Sequence, residues 1–306
     1  MTKLENFADK LIEAIKAKDS VVCVGLDPRL ERIPQCIMRE MAESYEDSSE
    51  LYANAVLAFN KGIIDEVKDH AVMVKPQSAF YENLGYQGIW ALEETCKYAQ
   101  DQGLLVLLDA KRGDIGSTAE AYAKAYLGED SPVDALTVNA YLGADGIMPF
   151  LDECGTHGKG IFVLVKTSNP SSGDLQDRIT ADEEMSIAEL MGHFVETWGF
   201  DHIGENGYHV VGAVVGATYP KEAAKLRKTM PHSFFLVPGY GAQGGAAEDV
   251  RPCFDENGLG AIVSSSRGII FAYENIEGPE DGSHYASVAR EATIAMKEAL
   301  NLVRKS

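Results

Sequence analysis

The chain has 306 residues, 45% hydrophobic and 24% charged, a composition typical of a globular protein and unlike that of a disordered one. Its 47 acidic residues outnumber 27 basic ones, and the resulting net charge of −20 would repel a nucleic-acid backbone or an anionic membrane surface. No apolar run approaches the roughly 20 residues that a membrane helix requires, and five scattered cysteines without a C-x-x-C pair favour a reducing cytoplasm.

The first predicted element is an amphipathic helix in "MTKLENFADKLIEAIKAKDS", where Leu4, Phe7, Leu11, Ile12 and Ile15 recur at helical spacing. Eight short apolar runs follow it. Their apolar character is continuous, which is typical of strands that are covered on both faces of a parallel sheet. The runs are "VVCVGLD" at 21, "AVMVK" at 71, "LLVLLD" at 104, "DALTVN" at 134, "IFVLVK" at 161, "VVGAVVG" at 210, "FFLVP" at 234 and "AIVSSS" at 261.

Helical patterns alternate with these runs. They are "SELYANAVLAFNKGIIDEVKD", "YQGIWALEETCKYAQDQ", "STAEAYAKAYL", "DGIMPFLDE", "DEEMSIAELMGHFVETW", "PKEAAKLRKTM" and "YASVAREATIAMKEALNLV". Eight such units predict an α/β fold, a (β/α)8 TIM barrel with an extra N-terminal helix, and an open doubly wound sheet is the alternative. No Pro/Ser-rich linker interrupts the series, so we expect residues 1–306 to form a single domain.

One polar segment breaks the alternation. "KTSNPSSGDLQDRITADEE" follows the fifth run and is rich in Ser, Asn, Pro and Gly. It is too polar for a core and long enough to act as a lid over a site. A surface excursion without function is the alternative.

The residues that end the apolar runs are the candidates for chemistry, because a parallel barrel places its active site at the C-terminal ends of its strands. They form a polar and heavily charged rim. They are Asp27, Lys75, Asp109 with Lys111, Asn139, Lys166 with Ser168, Gly216, Gly239, and Ser266 with Arg267.

The stretch "VLLDAKRGDIGST" concentrates charge at the end of the third run. Asp109 and Lys111, two apart on one strand, would share a face, and Asp114 would lie on the following turn. A lysine held among carboxylates keeps its proton, so Lys111 is predicted to be a proton donor and not a base. Lys75 at the end of the second run would balance the acids. A structural ion-pair network without chemistry is the alternative.

A glycine-rich loop near the end of the chain suggests a phosphate site. "PGYGAQGG" contains G-x-G-x-x-G at Gly239, Gly241 and Gly244, but only one strand remains after it, too few for a dinucleotide fold. With Arg267 after the last run, it fits the phosphate site that barrels build from their final two loops. The seven histidines form no H-E-x-x-H pair and no G-x-S-x-G elbow is present, so neither a metal site nor a serine hydrolase is predicted.

With these residues in view, "LLDAKRGDIGST" resembles the signature of the orotidine 5′-phosphate decarboxylases. The resemblance extends from "VGLDP" near the start to "GYGAQGG" and "SSSRG" near the end, and "TVNAYLG" and "VKTSNPSSGDLQ" resemble the longer, type 2, subclass. The signature positions are Asp109, Lys111, Asp114, Ile115 and Thr118.

The resemblance implies decarboxylation of orotidine 5′-phosphate to uridine 5′-phosphate, the last step of pyrimidine nucleotide synthesis, without metal or organic cofactor. Lys111 would protonate C6 of the pyrimidine. Asp109 would sit beside the departing carboxylate, and Lys75 would complete the charged array.

The resemblance also implies a homodimer in which the sites are shared. Asp114 of one subunit would join the array of its neighbour. Ile115 and Thr118 would reach into the same neighbouring site.

The remaining implied roles concern substrate binding. Asp27 would bind ribose hydroxyls, and Ser168 would touch the pyrimidine edge, although shorter members of the family read Ser-His-Pro-Gly where this chain has Ser-Asn-Pro-Ser. Gln243 would bridge phosphate and base, Gly244 belongs to the phosphate loop, and Arg267 would clamp the phosphate.

Two other functions stay open at this point. A related barrel that acts on 3-keto sugar phosphates also uses D-x-K-x-x-D but requires Mg²⁺. A catalytically silent protein that binds nucleotide phosphates is the alternative from another class.

Overall fold

All eight apolar runs become strands in the computed structural model, which describes residues 5–241 and 244–305. The strands pair in parallel and in chain order, and the last pairs with the first, so the sheet closes into a barrel. The predicted fold class is thereby confirmed. The strands are Val22–Leu26 (β1), Met73–Pro76 (β2), Leu105–Arg112 (β3), Ala135–Val138 (β4), Gly160–Lys166 (β5), Val211–Val215 (β6), Phe235–Val237 (β7) and Ala261–Ser265 (β8).

Helices follow the strands along the chain, as the alternation predicts. They are Phe7–Lys18 (α1), Gln35–Ser44 (α2), Ser48–Val67 (α3), Ser78–Glu82 (α4), Gly85–Asp101 (α5), Gly116–Leu127 (α6), Met148–His157 (α7), Ile187–Gly199 (α8), Pro220–Thr229 (α9), Ala247–Val250 (α10), Arg267–Ile270 (α11) and Tyr285–Arg304 (α12). Each of the seven helical patterns in the sequence corresponds to one of them.

The start of α8 differs from the sequence pattern, which places the helix from Asp182 onward. Ser186 is the N-cap instead: its hydroxyl accepts a hydrogen bond from the Glu189 N–H, and the Glu189 carboxylate accepts one from the Ser186 N–H. This capping box fixes the first turn of the helix. The acidic residues before it form a turn closed by the Thr180 N–H and the Met185 carbonyl.

The burial of the strands explains their continuous apolar sequence. Every residue of β1, β2, β4, β6, β7 and β8 is buried, because side chains pointing inward fill the barrel and those pointing outward are covered by helices. The polar exceptions concentrate at the strand ends. The barrel is therefore a rigid support for the side chains at its mouth.

The N-terminal helix α1 packs on the start of β5. Its apolar face, which includes Phe7 and Leu11, is buried, and the Phe7 ring meets that of Phe162 edge-on at 6.1 Å. Gly160 makes this possible, because a Cβ there would lie 2.3 Å from the Phe7 ring. Leu4, the first residue of the predicted apolar face, lies outside the described residues. Among the described helices, none is both long and apolar enough to cross a membrane.

Candidate active site

Two lysines and one aspartate meet at the C-terminal ends of β2 and β3. Lys75 Nζ lies 3.0 Å from Asp109 Oδ2, and Lys111 Nζ lies 2.5 Å from Asp109 Oδ1. The side chains of Lys75 and Asp109 are 7% and 12% exposed, whereas that of Lys111 is 43% exposed. Lys111 is therefore the cation of this cluster that an incoming molecule can reach.

The charges around Asp109 favour the ionised forms of Asp109 and of Lys75. Burial alone would raise the pKa of the Asp109 carboxyl, but Lys75 and Lys111 outweigh it and hold that pKa well below its usual range. Burial also opposes the charge of Lys75, but Asp109 and Asp27 outweigh it and hold the pKa of Lys75 above its ordinary value. A fixed field of alternating charge exists at the mouth before any ligand arrives.

β3 is irregular where it carries this cluster. Leu108 pairs with Leu136 of β4 and Arg112 pairs with Val138, so four steps along β3 match two along β4. Lys111 has a φ of 48° in the left-handed region, which costs a residue with a Cβ about 1–2 kcal/mol. Simple alternation would have placed the Asp109 and Lys111 side chains on one face. They do converge, but through a bulge that redirects the strand.

Two residues that the sequence did not single out complete the hydrogen bonding of Asp109. The buried Thr137 hydroxyl donates to Asp109 Oδ1 at 2.9 Å and accepts from the Lys111 N–H at 2.9 Å. The Gln77 amide nitrogen, in the orientation that satisfies both ends of the amide, lies 2.9 Å from Asp109 Oδ2 and 2.7 Å from its carbonyl oxygen. Each carboxylate oxygen thus receives one ammonium and one neutral donor.

Asp27 lies at the end of β1, beside the cluster, and carries an unused acceptor. Its Oδ1 is buried and has no hydrogen-bond partner within residues 5–241 and 244–305. Buried carboxylate oxygens are nearly always paired in folded proteins, so this atom fits a donor supplied by a ligand, such as a hydroxyl group.

Asp114, Ile115 and Thr118 do not join the cluster within one chain. The Oδ1 of Asp114 accepts from the Ile115 N–H at 2.8 Å, and no ion pair links Asp114 to the two lysines among the described residues. Ile115 is 52% exposed, and Thr118 is exposed in the first turn of α6. In a single chain Ile115 and Thr118 are exposed and Asp114 is half-buried.

Ser168 follows β5 and packs closely on the end of β6. A Cβ at Gly216 would lie 2.8 Å from the Ser168 Cα, so glycine permits this approach. The polar segment that begins here is held to the barrel by Lys166, whose buried Nζ lies 2.6 Å from Asp177 Oδ1 and 4.4 Å from the centre of the Tyr219 ring.

The glycine-rich loop after β7 adopts conformations that only glycine accepts readily. Gly239, Gly241 and Gly244 have φ values of 95°, 68° and 95°. The Gly244 N–H donates to the Gly241 carbonyl at 2.8 Å. Arg267 begins α11, directly after β8, and is exposed. Gln243 lies outside the described residues.

Metal-binding side chains do not gather in the part of the chain that the structure describes. In residues 5–241 and 244–305, no group of three or more His, Cys, Asp or Glu side chains is arranged to hold an ion.

The chain is similar to known proteins over nearly its whole length. Residues 20–277 match the model of the orotidine 5′-phosphate decarboxylase / HUMPS family. An orotidine 5′-phosphate decarboxylase of Rhodopirellula baltica is 48% identical over 96% of this chain and 98% of its own. Another, of Caldicellulosiruptor bescii, is 45% identical over 88% and 91%.

The solved structure of Leishmania donovani OMP decarboxylase has the same architecture. It is 31% identical, covers 98% of this chain and 99% of its own, and superposes with a TM-score of 0.75. The charged strand ends, the glycine-rich loop and these similarities agree. The chain belongs to the orotidine 5′-phosphate decarboxylase / HUMPS family.

Proposed function

We propose that this chain converts orotidine 5′-phosphate into uridine 5′-phosphate and CO₂, as the names of its relatives indicate for those proteins. The observation that carries the proposal is the exposed Lys111 ammonium, paired at 2.5 Å with Asp109 at the barrel mouth. A metal-dependent sugar-phosphate reaction lacks comparable support, because the relatives matched end to end are orotidine 5′-phosphate decarboxylases.

The chemistry requires a proton at a carbon that carries negative charge. The bond between C6 and the carboxylate breaks, CO₂ leaves, and the electron pair remains on C6 with no adjacent electron sink. Lys111 Nζ gives a proton to C6, and the neutral amine regains one from solvent. A preorganised ammonium stabilises the charge as it develops. No organic cofactor or metal ion is required for these steps.

Asp109 and Lys75 set the field in which this transfer happens. Asp109 would lie next to the substrate carboxylate, so its negative charge would disfavour the bound substrate more than the product-like state. Lys75 and Thr137 keep Asp109 ionised and fixed. Lys75 and Thr137 thus hold in place the Asp109 carboxylate that would repel the carboxylate of the substrate.

Binding contacts away from C6 would supply the energy for orientation. The unpaired Asp27 oxygen suits ribose hydroxyls. Ser168 would contact the pyrimidine edge, and Gly244 and Arg267 would hold the phosphate together with Gln243. An arginine guanidinium and backbone N–H groups are the donors that phosphate recognition commonly uses.

We further propose that the active unit is a homodimer with shared sites. Asp114 forms no ion pair with a lysine among the described residues. Exposed apolar side chains lie at the adjacent Ile115 and in the segment 141–148, which approaches Asp114 at Gly146. These side chains are Ile115, Tyr141, Leu142 and Met148, which are 52%, 79%, 49% and 39% exposed. Apolar exposure of this kind marks association surfaces.

Mixing inactive variants tests the shared site. Lys111→Ala and Asp114→Asn homodimers, each inactive, should regain about a quarter of the wild-type activity when their subunits are exchanged at equal amounts, since half of the dimers then contain one intact site. No recovery under conditions where exchange is demonstrated would contradict the shared site.

Other features of the proposal follow from the sequence. The five cysteines are all unpaired in the structure, in keeping with a cytoplasmic protein. We also propose that the chain is of the longer subclass and forms one domain over residues 1–306, a proposal supported by a match that covers 98% of one relative's length.

The decisive experiment follows the loss of orotidine 5′-phosphate absorbance with purified, chelator-treated protein. Full turnover is expected. Lys111→Ala should lose turnover yet bind uridine 5′-phosphate. Dependence on added Mg²⁺ would support the sugar-phosphate alternative, and binding of the nucleotide without CO₂ release by the wild type would support a silent binding protein.

A further inference from the structure

Arg112 is the one charge of the "DAKRGD" stretch that the proposed reaction does not use. It is the last residue of β3, immediately after Lys111, and it pairs with Val138 on β4. Its carbonyl accepts from the Asn139 N–H at 2.8 Å. It therefore marks the point where the bulge ends and regular pairing resumes.

The Arg112 side chain turns back across the bulge. Its Nη1 donates to the Ala110 carbonyl at 3.1 Å, so the guanidinium bridges the residues on either side of Lys111. Its Nη2 donates to Glu82 Oε1 at 2.5 Å and to the Tyr126 hydroxyl at 3.2 Å. The guanidinium also lies 5.7 and 5.5 Å from the ring centres of Tyr122 and Tyr126.

Glu82 connects this arrangement to the other lysine. It ends α4, the short helix that follows Lys75 and Gln77, and it also accepts a hydrogen bond from the Ser78 hydroxyl. Ser78 and Arg112 both hold the pKa of Glu82 below its ordinary value, the serine contributing more. The ends of β2 and β3, which carry the two lysines of the cluster, are thus tied together through Arg112 and Glu82.

Such a tie is required because Lys111 adopts a strained backbone conformation. A left-handed φ at a residue with a Cβ persists only where surrounding contacts over-determine it. Thr137 fixes the Lys111 N–H from one side. On the other side, Arg112 holds the Ala110 carbonyl, which precedes Lys111, through its guanidinium. The Arg112 backbone, which follows Lys111, is held by the Asn139 N–H.

We propose that Arg112, anchored by Glu82, is a positioning residue that sets the placement of the Lys111 ammonium relative to Asp109. This inference rests on the proposed decarboxylase function. A planar guanidinium is needed, since lysine cannot reach the Ala110 carbonyl, Glu82 and the Tyr126 hydroxyl together in one fixed fork.

The test compares Arg112→Met and Arg112→Lys with a matched control, Arg32→Met. Arg32 also forms an ion pair with a glutamate, Glu274, and lies over an aromatic ring, Phe271, and both of these partners lie outside β2 and β3. We expect kcat for orotidine 5′-phosphate to fall at least tenfold in both Arg112 variants. Affinity for uridine 5′-phosphate should change less than twofold, and Arg32→Met should keep its kcat within twofold.

Glu82→Gln provides a second, milder variant that answers the question if Arg112→Met fails to fold. Glu82→Gln should also lower kcat. Combining it with Arg112→Lys should lower kcat little further than Arg112→Lys does alone, because the two residues act as one unit. Wild-type kcat in Glu82→Gln, or full recovery of kcat by Arg112→Lys, would overturn the positioning role. Loss of nucleotide affinity and thermal stability in step with kcat would do so as well, since that pattern indicates general disruption. Absence of turnover in the wild type would instead remove the proposed function itself.

Discussion

Replacing Asp109 by Asn removes the anion that two ammonium groups share. Removal of one partner from a buried ion pair costs about 3–5 kcal/mol, because the remaining charge is left uncompensated. Lys75 is 7% exposed and cannot be hydrated, whereas Lys111 can turn towards solvent. Asn keeps a carbonyl acceptor for one donor, so we expect the lower end, about 3 kcal/mol.

The size of this effect is measurable by thermal and urea denaturation. For a chain of this size Tm falls by about 2 °C for each kcal/mol of lost stability, so the Tm of Asp109→Asn should be roughly 6 °C lower than that of the wild type at pH 7. Asp101→Asn, at an exposed position at the end of α5, is the matched control and should stay within about 0.5 kcal/mol of the wild type.

The pH dependence gives an independent check of the cause. The pKa of Asp109 is depressed in the folded protein, so its contribution is present above the unfolded value of about 3.9 and is lost as the pH falls below it. The difference in the free energy of unfolding between the wild type and Asp109→Asn should have its full size at pH 7 and become smaller below about pH 4. A variant as stable as the wild type at pH 7, or a gap that stays constant on acidification, would refute this reasoning.

Three further outcomes are expected. Thr137→Val removes the hydroxyl that bridges Asp109 and the Lys111 N–H, which leaves these groups unpaired at a cost of about 1–3 kcal/mol. We therefore expect kcat to fall about tenfold or more, whereas Thr137→Ser should keep the wild-type kcat. Asp177→Asn frees the buried Lys166 ammonium from its partner and should make the segment 167–186 more susceptible to trypsin, which limited proteolysis resolves. The KM for orotidine 5′-phosphate should rise with ionic strength, because the attraction is local and partly screened by salt; a flat KM from low to high salt would contradict it.

The strands and the charged cluster were predictable because they leave strong local signals. Continuous apolar runs mark strands buried on both faces, and the residues that end such runs in a parallel barrel meet at one edge. Lys75 and Asp109 lie on different runs, 34 residues apart, yet this rule places both at one edge of the barrel, where the structure shows them paired. The roles of these residues in the proposed reaction come from the family resemblance and not from this rule.

The hydrogen-bonding partners of the cluster were not predictable in the same way. Thr137 and Gln77 are uncharged residue types that occur throughout strands and turns, and nothing in the sequence distinguishes them from structural neighbours. The bulge in β3 was also missed, because it is set by pairing with β4 rather than by the composition of "DAKR". Asp114 is a different case, since its proposed partner lies on another chain.

The exposed member of the charged cluster at the mouth has the opposite sign to the net charge of the whole chain. A protein of charge −20 repels a substrate that carries a phosphate and a carboxylate, yet Lys111 and Arg267 both lie exposed at the strand ends. At physiological ionic strength the screening length is about 8 Å, so acidic residues far from the mouth contribute little there. The group formed by Lys75, Asp109 and Lys111 carries two positive charges and one negative charge, and Lys111 is its exposed member. Because Lys75 pairs with Asp109 from within the barrel, an anionic ligand that reaches the mouth meets an ammonium group before it meets the carboxylate.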